Sequence, residues 1–504
     1  MFTFELLPNE LLHNILSYLH SDEIIYSFLN LNLRFYNLCV PYIERLNLST
    51  TNNAQLWCTS NFQLVPSIVK TLKFNDTQLD WIFDSSDNVL VYFAHLKTIY
   101  MRILSQNDYY KCYLPTFKQK IYSLTMEYQN ATLFSKVNHE ILNEFINNDP
   151  SMTLNSLTID GVCLSIDSEY FQICQTLKRL TLSVEYQHHL FILLEYLPQL
   201  EYLNIGIREG KAGRYDYDYS KTKYLSLKLQ RLIMSANDID FHDLNLLIQQ
   251  CRTTLNVLKL HLKIDYIIDG QMLEAWKGSL KEFYFYFFCH SLGDAFVDPN
   301  TLLSSFQTST WLRDQTVMFF TNSFYRTCAI VSPPSHCRSF NCSLTNEFLN
   351  YRVNNQYLQL TMPRIKRIFL NDKQQPVYTN RFFRVFGSIF VNLQILEIGS
   401  NFHLADNENQ HDDLKLPTVR TLIIVTNQDY LNVQRLLKLL PNLSRLVIDY
   451  DLLVASTYDL SYTMENRNQL QEILIYFQPN QHVELDDELK NRVKFVYGNA
   501  KILC

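Results

Sequence analysis

The thiols, imidazoles and carboxylates of this chain are the groups that could do chemistry, and their spacing sets what that chemistry could be. Cys328, His336, Cys337 and Cys342 come nearest to a zinc set. They lack the Cys-x-x-Cys pair whose fixed bite structural zinc prefers, and a lone thiol packs equally well as a small hydrophobe. Asp216 and Asp218 start like a calcium loop, but no central Gly and no twelfth-position Glu follow. His188 and His189 open an apolar helix (Leu190, Phe191, Leu193, Leu194) with no partnered Cys, Ser or carboxylate. A capping or surface role is expected for them. Only ten glycines occur in 504 residues, which leaves little backbone for phosphate-cradling loops or strained nucleophile turns. The sequence predicts no catalytic residue, no metal and no cofactor.

What positions these residues is a long ordered chain. Apolar residues make up 47% and charged residues 19%, the balance of a packed protein. The length exceeds one compact core, so several domains or a repeat array is expected. The net charge of −6 is spread along the chain without a basic arm, which argues against nucleic acid as a partner. Glu5 and Glu10 sit where a signal sequence would be apolar, and the aromatic run Phe283 to Phe288 is too short to cross a bilayer. No membrane partner is expected. Eleven irregularly spaced cysteines suit reduced thiols and a cytoplasmic or nuclear home. The five Asn-x-Ser/Thr sites, starting at Asn47, Asn75, Asn130, Asn341 and Asn442, then read as accidental.

One pattern returns throughout: apolar, two residues, apolar, one residue, apolar. It runs from Ile43/Leu46/Leu48 through Leu177/Leu180/Leu182 and Leu229/Leu232/Met234 to Leu280/Phe283/Phe285. It resumes at Ile365/Ile368/Leu370 and ends at Leu470/Ile473/Ile475, with starts 23 to 33 residues apart within each block. The last two apolar positions alternate as in a half-buried strand. Helical spacing follows several of them, at 135–147, 186–197, 240–251, 381–390 and 430–440. One strand and one helix cannot bury an apolar face alone, so neighbours must stack. This unit resembles the leucine-rich repeat, in degenerate form over most of 41–480. The Asn that the family places after the strand occurs at Asn237, Asn401 and Asn427, while Gln129, Thr51 and Asp451 fill the slot elsewhere. The resemblance implies an α/β horseshoe solenoid. Segment 288–360, with Trp311 and Pro333-Pro334, breaks the register and reads as inserted or divergent. Stretches 214–220 and 406–413 read as solvated loops.

Residues 6–41 read as three short helices. Pro8 suits the first turn, Leu7, Leu11, Leu12, Ile15, Leu16 and Leu19 form an apolar stripe, Ser21 is the expected N-cap of the second helix, and Pro41 the stop of the third. So many apolar residues exceed what three short helices can hide among themselves, so a partner or the end of the array must cover some. Leu7-Pro8-Asn9-Glu10-Leu11-Leu12, then Ile15 to Leu19 and Glu23-Ile24, resemble the F-box. The chain departs from that family near Leu29 to Phe35, where its Val-Cys-Lys-x-Trp tract is replaced and Phe35 stands for the usual Trp. The resemblance implies a non-catalytic adaptor of an SCF (cullin–RING) ubiquitin ligase. Its dock for a Skp-type linker would be Leu7, Pro8, Glu10, Leu11, Ile15, Leu19 and Ile24. The alternative is a leucine-rich scaffold whose helices only cap the first repeat. The organisation expected is 1–48 helical module, 49–287 first repeat block, 288–360 divergent segment and 361–504 second block with a C-terminal cap.

In either case the residues between the apolar triplet positions face outward and would hold a protein target. Tyr and Arg most often anchor interfaces, which makes Tyr202, Arg231, Tyr284 and Phe369 the candidate anchors.

Overall fold

The computed structural model describes residues 4–49, 67–82, 93–104, 108–129, 139–146, 151–166, 171–210, 228–265, 268–289, 302, 304–306, 317–322, 327–332, 339–344, 361–370, 378–399, 402, 404, 415–424, 436–458, 470–476, 487–497 and 500–503. They form an α/β, mostly parallel, solenoid-like fold that divides into two compact units, 1–257 and 258–504.

The first unit opens with three helices, α1 (Asn9–Ser17), α2 (Ser21–Phe28) and α3 (Leu33–Ile43). Strands β1 (Arg45–Asn47), β2 (Thr71–Asn75), β3 (Thr98–Ile103), β4 (Ser123–Tyr128), β5 (Ser156–Leu164), β6 (Arg179–Tyr186), β7 (Tyr202–Glu209) and β8 (Arg231–Asn237) follow. They lie side by side in chain order, all parallel. In this unit the second and third apolar positions of the triplets beginning at Ile43, Leu177 and Leu229 lie in these strands or directly after them, and are buried. That is the sheet's core face; helices such as α4 (Gln187–Tyr196), which packs on β6 and β7, cover it. A backbone device repeats at every step. One carbonyl accepts from two consecutive N–H groups of the next strand: Glu44 from Lys70 and Thr71, Lys97 from Tyr122 and Ser123, Lys178 from Glu201 and Tyr202, and Glu201 from Gln230 and Arg231. These bonds satisfy backbone groups where each strand begins, so adding a repeat leaves few orphans.

The second unit begins within β9 (Val257–Ile264), beside which lies β10 (Glu282–Cys289). The break in register after residue 288 is an antiparallel excursion: β11 (Met318–Asn322) pairs with β12 (Thr327–Val331), and β12 runs antiparallel to β10. Parallel stacking resumes in a seven-stranded sheet of β13 (Ser339–Leu344), β14 (Arg367–Leu370), β15 (Ile395–Ile398), β16 (Thr421–Ile424), β17 (Arg445–Asp449), β18 (Glu472–Tyr476) and β19 (Lys501–Leu503). Trp311 and Pro333-Pro334 lie outside the described residues.

Helix starts follow side-chain caps. Asp240 accepts from His242 N–H at 2.8 Å ahead of α5 (Phe241–Cys251), and Thr379 from Phe382 N–H at 3.2 Å ahead of α6 (Asn380–Ile389). In the N-terminal module three expectations need correcting. Pro8 is the cap residue itself, its carbonyl accepting from Leu11 and Leu12. His20, not Ser21, caps α2, because Glu23 three residues on reaches back to the His20 N–H at 2.9 Å. Pro41 does not stop α3: the helix runs on to Ile43, whose side chain is buried, and Glu44 N–H closes onto the Val40 carbonyl. The expected helices at 186–197, 240–251 and 381–390 are present with ends shifted by a few residues. Residues 135–138 and 430–435 and the loops 214–220 and 406–413 fall outside the described residues.

Candidate partner-binding surfaces

The first surface belongs to the N-terminal module. Helix α1 carries two apolar rows on nine residues. Leu12 and Leu16 turn inward and are buried, so Leu11, Ile15 and Leu19 lie beside them on the rim. The module's core is Leu12, Leu16, Ile24, Ile25, Leu29, Phe35, Leu38 and Cys39, with Phe4, Phe28 and Phe35 stacked at centroid distances of 5.5 to 6.0 Å. What remains outside is apolar too: Phe4, Leu6, Leu11 (49% exposed), Tyr18 (89%), Tyr26, Leu31 and Leu33. These seven are more than half of the large apolar side chains exposed among the described residues. Scattered apolar residues are normal on a surface, but this density in thirty residues marks an interaction site.

Arg34 holds the leading segment of that surface in place. Its guanidinium donates to the Glu5 and Leu7 carbonyls and to Asn9 Oδ1, the last at 2.7 and 3.0 Å. The clamp fixes the backbone from Glu5 to Asn9, which presents Leu6, Leu7 and Pro8. Of the residues assigned to the dock, Pro8, Glu10 and Leu11 are exposed, and Leu7, Ile15 and Leu19 half-buried. Ile24 is different: it is 1% exposed and lies in the module's core with Ile25 and Leu29. The outward Leu6, Tyr18, Tyr26, Leu31 and Leu33 are absent from the residues assigned to the dock, because a motif marks pattern positions rather than solvent exposure.

The second surface is the outward face of the strands. Register aligns Arg179 on β6, Tyr202 on β7 and Arg231 on β8 in one row, with Thr181, Asn204 and Ile233 in the next. Both guanidinium carbons lie against the Tyr202 ring, Arg179 at 4.5 Å and Arg231 at 5.6 Å from its centroid. Tyr202 and Arg231 are thus brought together as candidate anchors, and Arg179, left out of that set, completes them. Tyr284 lies on β10 in the second unit, where Lys259 sits 5.1 Å from its ring centroid. Phe369 is half-buried on β14, in the other sheet of that unit, beside Glu397 in register. Within the second unit Tyr284 and Phe369 therefore lie on different sheets.

Four other outward cations are matched by acids on the next strand: Arg102 with Glu127 at 3.5 Å, Arg367 with Glu397, Arg445 with Glu472 at 3.5 Å, and Lys259 with Glu282 at 3.9 Å. Glu127 lies in register with Arg102 and Glu472 with Arg445; in register with Arg179 stands the Tyr202 ring instead.

His189 has a structural role. Burial, with His188 adding, pushes the His189 imidazole down to about 3, so it is neutral. Its Nδ1 accepts from the Tyr186 N–H at 3.3 Å at the start of α4, the capping role expected for it. Among the described residues no group of three or more His, Cys, Asp and Glu could hold a metal ion. His336 and Cys337 lie outside them. No helix of the described residues is long and apolar enough to cross a membrane. Asn237 donates to the Arg208 carbonyl on the neighbouring strand β7 at 3.3 Å; Asn401 and Asn427 lie outside the described residues.

Compared with known proteins, the chain matches no family model, and no curated protein is significantly similar to it.

Proposed function

We propose that this chain is the non-catalytic substrate-recognition adaptor of an SCF (cullin–RING) ubiquitin ligase. In this reading the N-terminal module is an F-box that docks a Skp-type linker, which joins it to the cullin scaffold. The strands are degenerate leucine-rich repeats whose outward face holds a protein target, in the cytoplasm or nucleus. The observation that carries the reading is the apolar surface around Leu6, Leu11, Tyr18, Tyr26, Leu31 and Leu33, which the chain's own described residues leave exposed. Burying a leucine is worth about 1.5–3 kcal/mol, so a second polypeptide covering this patch gains several such increments.

A second reading, a leucine-rich scaffold without a ligase link, draws on the packing of α2 and α3 against β1, where Ser21 Oγ accepts from Asn47 N–H at 3.1 Å. Co-purification with a Skp-type linker separates the two. Full-length protein carrying Leu11→Asp and Leu31→Asp keeps its fold, since both side chains are exposed, and loses the linker if the first reading holds. Wild-type protein that never retains the linker leaves the scaffold.

A further inference from the structure

We propose that Cys289 and Cys328 are a redox-modification site: a buried dithiol that closes to a reversible disulfide by exchange with a small disulfide such as oxidised glutathione, fastening β12 to β10. The inference stands on the second unit alone and goes beyond the adaptor reading, on which it does not depend.

Three observations carry it. First, the two cysteines are Cα partners in the antiparallel pairing of β10 with β12. Directly opposed antiparallel residues lie about 4.5–5.5 Å apart at Cα, inside the roughly 4.4–6.8 Å that a disulfide spans. Their side chains leave the same face of the sheet. Second, the thiols already meet: both are free and buried, and a hydrogen bond joins them. The other free thiols described, those of Cys39, Cys112, Cys163, Cys174 and Cys251, belong to the first unit. Third, β11 joins its sheet through β12 alone, and β12 joins the parallel strands through β10. A bond between Cys289 and Cys328 therefore ties the whole antiparallel excursion to the strand before it. It also closes the chain between them into a loop, and restricting the unfolded chain in that way stabilises the folded one.

The exchange balances without any further reactant. One protein thiol gives up its proton and attacks a sulfur of the small disulfide, whose S–S bond breaks to release one small thiolate. The second protein thiol, deprotonated in turn, attacks the mixed disulfide and releases the other. The two protons end on the two small thiols, which also take the two electrons that the protein loses. The hydrogen bond with Cys289, and then burial, push the Cys328 thiol well above the usual cysteine range. The folded pair thus keeps its protons and reacts only as the excursion opens locally. Such a site responds to a sustained change in thiol poise, not to a brief pulse.

The test holds full-length protein in glutathione buffers from fully reduced to fully oxidised, quenches it with N-ethylmaleimide in denaturant, and maps peptides by non-reducing mass spectrometry. A linked Cys289–Cys328 peptide pair is expected to accumulate with oxidation and to disappear with dithiothreitol. The urea midpoint of oxidised wild type should exceed that of the reduced protein by about 0.5 M or more. Cys289→Ala and Cys328→Ala should each lose that shift, whatever their own stability, because each variant is compared with itself in the two buffers. Cys112→Ala, which removes an exposed thiol of the first unit, should keep it. The mapping of wild type needs no variant to fold. Both thiols recovered alkylated from the oxidised buffer overturn the site. So does either thiol joined at equilibrium to glutathione or to another cysteine such as Cys342 in place of its partner, or a linked pair that leaves the midpoint unmoved.

Discussion

Gly161 is the residue whose replacement by alanine the structure predicts to be worst tolerated for so small a change. It lies in β5, exposed, with φ +80°. The pairing of β5 with β6 shifts register around it, from Thr158 opposite Thr181 to Cys163 opposite Ser183, so three extra residues bulge out. A Cβ at Gly161 would sit 2.1 Å from the Tyr128 carbonyl oxygen. That oxygen is backbone on β4, paired in register with β3 and β5, so it has little freedom to retreat. Positive φ alone costs an L-residue about 1–2 kcal/mol, and moving a laddered strand adds more, so Gly161→Ala should destabilise by about 2–4 kcal/mol. Gly278 supplies the control. It ends its helix at φ −60°, and a methyl group added there would meet nothing within 4 Å, so Gly278→Ala should be neutral or stabilise by up to about 1 kcal/mol. Urea unfolding followed by far-UV circular dichroism measures both. Equal stabilities for the two variants, or a Gly161→Ala midpoint matching wild type, would refute the argument that this bulge is sterically fixed.

Acidification should destabilise the fold through His189. Above about pH 6.5 its imidazole is neutral folded or unfolded. Below that only the unfolded chain takes up the proton, because the folded group stays neutral down to about 3, so stability falls with pH by up to about 1.4 kcal/mol per unit. Burial lowers His188 and His261 in the same direction. His189→Gln should flatten the difference between urea midpoints at pH 7 and 5; an unchanged difference removes His189 from the account. Thiol labelling should be site-ordered: among the described cysteines Cys112 is exposed and should label first in native protein, while burial pushes Cys39 up to about 11 and Cys251 up to about 12. Peptide mapping that finds Cys251 labelled as fast as Cys112 contradicts that burial. Trp276, 1% exposed and 6.3 Å from the Phe283 ring, should cost about 3–5 kcal/mol on replacement by alanine, read from the urea midpoint.

The repeat was legible because burial on a strand has a period of two and an apolar triplet marks it directly. Leu232 and Met234, or Ile473 and Ile475, point to the core for that reason alone. The antiparallel excursion at β11 and β12 was not legible, since a hairpin that satisfies its own backbone needs no triplet. Nor were the links that tie repeats together. Asn392 donates to the Pro363 carbonyl at 3.1 Å and Asn442 to the Pro417 carbonyl at 2.8 Å, each reaching to the repeat before it. An Asn just ahead of the first triplet residue was their trace in the sequence. The site was half legible. Alternation placed Tyr202 and Arg231 on the outward face, but only pairing register could show that Arg179 shares their row.

In the adaptor reading proposed above, the two surfaces must be held at a fixed separation, and within the first unit α3 runs directly into β1. Helix α3 ends at Ile43, and the very next carbonyl, that of Glu44, accepts from Lys70 and Thr71, so the module joins the same backbone ladder that aligns β6, β7 and β8. Leu48 N–H extends the ladder to the Lys73 carbonyl at 2.7 Å, and Ser21 Oγ ties α2 to β1. Module and strand face should therefore open together rather than separately. Inserting a flexible Gly-Ser segment between Glu44 and Arg45 breaks that continuity while sparing both surfaces. Hydrogen exchange of the Lys70 and Thr71 amides should then rise well above wild type, whereas amides of β7 keep their protection. If Lys70 and Thr71 stay as protected as before, the module is not held by this ladder, and the fixed separation must come from side-chain packing instead.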